Sequence, residues 1–279
     1  SSDLQNIMDL HSGLPYWIIR NSLWDYFHPL EKDLSTDVVI VGSGITGALM
    51  AHELCHAGIK CCIVDKRSIA TGSSAASTAL LQYEIDVPLC RMAKIIGEEN
   101  AATAYHACLQ SISDIKRVLE ETGVNAGFEQ LPSLFYASSA ADNKLLEQEH
   151  EIRQKHKLPV NLLEKKKIRE EYKVKTPGNA LINEASAQMD AYRAATGLLA
   201  YHIKESGLKV FTHTSIKECI ETSDGCIMTT DRGHKIKCGY VIIATGFEAG
   251  QFLPQKIMDL TSTYALVSHP VASEHLWPT

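Results

Sequence analysis

Asp37-Val38-Val39-Ile40-Val41-Gly42-Ser43-Gly44-Ile45-Thr46-Gly47 joins an unbroken apolar run, Val38 to Val41, to a G-x-G-x-x-G turn. Consecutive apolar residues predict a strand buried on both faces, as in the middle of a parallel sheet. Residues 45–57 read as a helix stopped by Gly58, and Lys60-Cys61-Cys62-Ile63-Val64-Asp65 reads as a second buried strand. The three pieces make a βαβ unit. Gly42 then permits the tight turn, Gly44 lets a pyrophosphate reach the backbone, and Gly47 lets helix and strand pack closely. The helix N-terminus presents free N–H groups and the positive end of its dipole to phosphate. Asp65 lies 18 residues after Gly47 and is placed to accept hydrogen bonds from both ribose hydroxyls. Its charge would repel a 2′-phosphate, which argues against NADP. NAD and FAD share the fingerprint, so the turn alone does not choose between them.

Beyond this unit the chain alternates. Residues 1–36 hold Tyr16, Trp17, Trp24, Tyr26 and Phe27 and read as an arm that lays its aromatics on the domain surface. A helical pattern runs from Val87 to about Gly123, and Phe128–Ala137 reads as a strand. Polar helices are expected at 139–157 and 164–172, the latter with lysines balanced by Glu164, Glu170 and Glu171 and therefore solvated. A helix at 190–206 ends at Gly207 and a strand follows at Lys209–Thr212. A hairpin turns about Asp224-Gly225, and Tyr240-Val241-Ile242-Ile243-Ala244 is a buried strand ending in Thr245-Gly246. The expected fold is α/β: a Rossmann-like three-layer dinucleotide domain from 37–87 and 186–253, and an inserted α+β domain with a mixed or antiparallel sheet from 88–185 and 254–279.

The segment that separates the cofactors is Arg67-Ser68-Ile69-Ala70-Thr71-Gly72-Ser73-Ser74-Ala75-Ala76-Ser77-Thr78-Ala79-Leu80-Leu81. Here the chain resembles the D-amino acid oxidase superfamily of FAD-dependent oxidoreductases, nearest to glycine oxidase and sarcosine oxidase-like enzymes. In that family a loop of small residues passes under the pyrophosphate to the flavin ring, and small hydroxyl side chains allow the approach while adding donors. The resemblance implies backbone contacts from Ile45 and Thr46 to the pyrophosphate and places Asp65 and Lys66 at the adenosine ribose. It puts Ser73 and Ser74 near the pyrophosphate, and Thr78, Ala79 and Leu80 beside the isoalloxazine. The family usually has Gly where Ala79 stands. Met189-Asp190-Ala191-Tyr192-Arg193 and Thr214-Ser215-Ile216 resemble its second nucleotide segment, in which the backbone at Ile216 would recognise adenine. Val241–Gly246 resembles its strand-end Ala-Thr-Gly, in which Gly246 lets the chain pass the cofactor closely.

The implied activity is oxidation of a C–N bond in a small amino acid or amine, by hydride transfer to flavin N5 and hydrolysis of the imine, with O₂ or another acceptor taking the electrons. The family extends beyond Thr279 with the arginine that clamps a substrate carboxylate, so no catalytic side chain is assigned here and an inert fragment is one alternative. The other is a zinc hydrolase built on His52-Glu53-Leu54-Cys55-His56, an H-E-x-x-H match. The plainer view of those histidines is that both face solvent, and no metal ligand set is assigned.

The 279 residues carry 27 Lys plus Arg against 33 Asp plus Glu, a net charge of -6, which gives no electrostatic reason to bind nucleic acid. No apolar run nears the ~20 residues of a membrane span. The eight cysteines include no Cys-x-x-Cys pair, and with no export pattern they are expected to be reduced, mostly buried thiols in the cytoplasm.

Overall fold

A computed structural model describes residues 13–24, 26–252 and 264. The chain divides into two compact units. The first holds the described chain up to Ala79, the stretch Leu119–Ala126 and the chain from Asp190; the second holds Leu80–Val118 and Gly127–Met189. The expected resumption of the second domain after residue 254 lies outside the described residues, Tyr264 apart.

The first unit is built on a six-stranded sheet. Its strands are β1 (Leu34–Val41), β2 (Cys61–Val64), β7 (Lys209–Phe211), β8 (Ile216–Thr222), β9 (Gly225–Thr230) and β10 (Lys235–Ile243), in the order β7-β2-β1-β10-β9-β8. The pairs β7–β2, β2–β1 and β1–β10 are parallel; β10–β9 and β9–β8 are antiparallel. Val38 to Val41 are all buried, as a doubly covered strand requires. Val39, Val41, Cys62, Val64, Met228 and Ile236 form one core with Leu30 of the arm. Helix α2 (Ile45–His56) carries the chain from β1 to β2, and α8 (Ala191–Ser206) packs on it. Asp190 caps α8 by accepting from the Arg193 amide, and Gly207 closes it in the left-handed region.

β10 departs from expectation. It begins at Lys235, and at its parallel end Tyr240 is 75 % exposed and Ile243 37 %. Val241 packs into the core, so this end of β10 is covered less fully than the same rows of β1.

The second unit centres on β6 (Ala180–Gln188), which pairs antiparallel with β3 (Leu80–Leu81), β4 (Glu129–Tyr136) and β5 (Asn161–Leu163). Its helices are α4 (Leu89–Ile96), α5 (Glu98–Thr122), α6 (Asn143–Lys155) and α7 (Lys165–Glu171), and the last residues of α5 belong to the first unit. The single helical pattern read from Val87 to Gly123 is two helices, broken where Gly97 takes φ 85°. Arg153 is buried between the rings of Tyr83 and Tyr105 and bonds Glu149 and Glu84, while Glu149 accepts from the amides of Leu89 and Cys90 that open α4. Such a buried charge persists because it is both paired and hydrogen-bonded. Cys62, Cys90 and Cys238 are buried, Cys219 is exposed and the other four thiols are half-buried, so burial is less general than expected. Among the described residues no helix is long and apolar enough to cross a membrane.

Candidate cofactor site

Helix α2 starts without a side-chain cap of its own, its N-cap being Gly44 in extended conformation. The Ile45 amide donates to Ser74 Oγ at 2.9 Å. No acceptor among the described residues reaches the amides of Thr46 and Gly47. An open helix start of this kind suits an anion. Gly42 holds φ 110°, and a Cβ there would meet the Ala244 carbonyl; a Cβ on Gly47 would meet the carbonyl of Gly42. These two glycines are required by the close passage of β1, α2 and the end of β10.

Asp65, at the end of β2, faces this turn. Its Oδ2 accepts from the amide and hydroxyl of Ser43 at 2.7 and 2.6 Å, and its Oδ1 accepts from the Arg67 amide at 2.8 Å. Three of the carboxylate's roughly four acceptor positions are thereby engaged, which leaves less room for two ribose hydroxyls than the sequence suggests. The Asp65 carbonyl accepts from the Thr214 amide at 2.8 Å, which brings 212–216 beside the same strand end. Ile216 opens β8 opposite Thr230 and lies half-buried against the core.

The segment 71–81 folds onto the turn. It contains a short helix, α3 (Ser73–Ala76), and the Ser77 carbonyl accepts from Trp17 Nε1 at 2.7 Å. Trp17 belongs to helix α1 (Tyr16–Asn21) of the arm, so the arm is built into this unit and braces the loop. Ser73 Oγ and Thr245 Oγ1 are both buried with no hydrogen-bond partner. A Cβ on Gly246, at φ 60°, would stand 3.9 Å from the Ser73 hydroxyl, in ordinary van der Waals contact. Thr78 is exposed, and Ala79 is buried at φ 53°. Leu80 is 65 % exposed and belongs to the second unit, where it pairs with Gln188. Lys66 Nζ does not stand free at the strand end: it bonds Glu248 at 2.7 Å.

Two open helix amides, two orphaned buried hydroxyls and two glycines with no space for a side chain therefore surround one strand–helix turn. A bound diphosphate would satisfy those amides and could satisfy those hydroxyls, so the residues fit a dinucleotide cofactor.

The histidine motif resolves differently from the solvent-facing reading. His56 is exposed, but His52 is only 5 % exposed, because α8 covers α2 there and supplies a partner: His52 Nδ1 lies 3.0 Å from His202 Nε2. That nitrogen is taken by a ring 150 residues away, and among the described residues no group of three or more His, Cys, Asp or Glu is placed to hold a metal. The zinc hydrolase alternative has no site there. Sequence reasoning also passed over Ser43, Thr245 and Glu248, whose roles come from contacts across the chain. Only the G-x-G frame around Ser43 and the Ala-Thr-Gly beside Thr245 carried a local signal.

Comparison with known proteins agrees with this geometry. The family model described as "DAO: FAD dependent oxidoreductase" matches residues 37–279. YhfW of Bacillus subtilis (strain 168), whose name describes a Rieske 2Fe-2S iron-sulfur protein, is 23% identical over 232 residues, covering 83% of this chain and 44% of YhfW. Among solved structures, L-proline dehydrogenase from P. horikoshii superposes with a TM-score of 0.64 at 23% identity, over 78% of this chain and 55% of its own. Glycine oxidase from Geobacillus kaustophilus does so with 0.65 at 22%, over 78% and 57%. These likenesses are of fold, and the chain spans about half the length of the proteins it matches. With the family model covering most of the sequence, the chain belongs to the DAO family of FAD dependent oxidoreductases.

Proposed function

We propose that the protein uses FAD to oxidise the C–N bond of a small amino acid or amine, with O₂ or another acceptor receiving the electrons. The observation that carries the cofactor assignment is the open start of α2 beside the orphaned hydroxyls of Ser73 and Thr245. In this reading Gly42, Gly44 and Gly47 clear the path of the diphosphate. The amides of Thr46 and Gly47 bind it, while the Ile45 amide holds Ser74, whose hydroxyl hydrogen then points to phosphate. Asp65 and the backbone at Lys66 take the ribose, and the backbone at Ile216 takes adenine. Thr78, Ala79 and Leu80 lead the chain along the flavin, and Gly246 lets the strand end pass it. When bound, FAD supplies a two-electron acceptor for the hydride leaving the carbon that bears nitrogen.

The protein's part is to hold that acceptor in place and to exclude competing contacts. We assign cofactor binding to the first unit, read the second as a substrate domain, and name no catalytic side chain. The substrate class rests on the amino acid-oxidising relatives of like fold, L-proline dehydrogenase and glycine oxidase. YhfW brings an iron–sulfur centre into view as an acceptor alternative to O₂. Free thiols throughout suit a cytoplasmic setting. The test is to titrate the protein with FAD, record the flavin spectrum, and add a panel of amines and amino acids without oxygen. Uptake of FAD and bleaching by one class of amine are expected, and readmitted O₂ that restores colour identifies an oxidase. A protein that takes up no FAD overturns the reading.

A further inference from the structure

The end of β2 carries opposed signals for nucleotide choice. In a βαβ dinucleotide site an acid at this position favours an unmodified ribose, whereas a nearby arginine accommodates a 2′-phosphate. This chain has both: Asp65 is followed at once by Lys66 and Arg67. What both cations face is Glu248, three residues past Thr245 and only 4 % exposed. Its Oε1 accepts from Lys66 Nζ at 2.7 Å and from Arg67 Nη2 at 3.0 Å, and its Oε2 accepts from Arg67 Nη1 at 2.9 Å. The fork of the guanidinium is thus filled in the two-pronged manner in which it would grip a phosphate. Burial pushes the Glu248 carboxyl up, but the hydrogen bonds from Arg67 and Lys66 more than offset it and hold the group ionised.

We propose that Glu248 is a specificity-determining residue of the nucleotide site: by occupying Lys66 and Arg67 it keeps the ribose end matched to an unphosphorylated adenosine and closed to 2′-phosphorylated nucleotides. The proposal rests on 42–47 being the nucleotide site. It explains why a strand end bearing two cations serves an FAD family, and it gives the buried carboxylate a task beyond fastening the turn after β10.

Binding of 5′-ADP and of adenosine 2′,5′-bisphosphate to the FAD-free 279-residue chain, measured by calorimetry, tests it. The wild type is expected to prefer 5′-ADP. Glu248→Gln is expected to shrink that preference by roughly tenfold, about the effect of one charge-assisted hydrogen bond gained by the 2′-phosphate. Arg67→Gln, which removes a cation and leaves Glu248, is expected to preserve or widen it. A residue that merely supports the fold would weaken both ligands in proportion. An unchanged ratio in a folded Glu248→Gln protein overturns the proposal. If that variant does not fold, a ratio that falls in Arg67→Gln overturns it instead. A wild type that binds neither 5′-ADP nor FAD sinks the cofactor site itself, and this inference with it.

Discussion

Ala79 shows how a departure from the family pattern is absorbed. The position usually holds Gly, and here an alanine adopts the glycine conformation, at φ 53° in the left-handed region. That placement strains an L side chain by about 1 kcal/mol. The side chain bears the strain of that conformation, helped by a hydrogen bond from the Ala79 amide to Ser77 Oγ at 3.0 Å. Ala79→Gly is therefore expected to stabilise the protein by about 1 kcal/mol in urea denaturation, less what the freer unfolded chain takes back; a loss of stability would show that the backbone is not held there. Gly47→Ala works in the other direction. Its methyl would meet the Gly42 carbonyl, backbone that has no side chain to move aside. A loss of about 1–3 kcal/mol is expected, together with weakened FAD uptake seen by fluorescence quenching, because relief requires the turn and the start of α2 to separate. Wild-type FAD affinity in Gly47→Ala would contradict the role given to that turn.

Among the elements, α2 and α8 meet through a buried histidine pair. His52 Nδ1 faces His202 Nε2 at 3.0 Å, and His202 Nδ1 lies 3.1 Å from Ser206 Oγ. Burial lowers the His202 pKa below its ordinary 6.5, and repulsion from His52 and His56 in their charged forms pushes the same way. The unfolded chain therefore takes up a proton near pH 6.5 while the folded chain resists it. Stability contributed by this contact is intact above that pH and declines as pH falls below it. His202→Gln keeps a hydrogen-bonding side chain without the titration, and urea denaturation at about pH 7 and pH 5 should show a smaller decline than in the wild type. An equal decline would place the pH response elsewhere.

The same helices show what the sequence made legible. Val38–Val41 and the glycines after it revealed strand, turn and helix because their signals are local: an apolar run, then residues without side chains where atoms crowd. His52 misled because its partner lies 150 residues along the chain and no spacing announces it. Gly97 divided a continuous apolar pattern into two helices, and the two-residue β3 was hidden in a Ser/Ala segment that has no strand pattern of its own. The cofactor turn could be read at each glycine. The occupied state of Asp65 and the pairing of Lys66 could not, since both depend on hydroxyl and carboxylate partners brought in by folding.

At the scale of the whole molecule, the two units differ in how the starts of their helices are satisfied. In the second, Glu149 ties the opening amides of α4 to Arg153, whose guanidinium lies between two tyrosine rings, so the helix start and this ion pair are met by protein, while Glu84 Oε2 is buried without a partner. In the first, the start of α2 is met only at Ile45, and the hydroxyls of Ser73 and Thr245 are buried without partners. Groups left in that condition lower the stability of the protein alone and favour whatever ligand completes them. Binding energy then appears as folding energy localised where the contacts are missing. FAD at about one hundred times its Kd should stabilise the native state by about 2.7 kcal/mol. Hydrogen exchange should slow most at the amides of Thr46 and Gly47 and across 71–79 and 244–248, with little change in α6. Protection spread evenly over both units, or concentrated in α6, would mean that the cofactor is held by a different part of the chain.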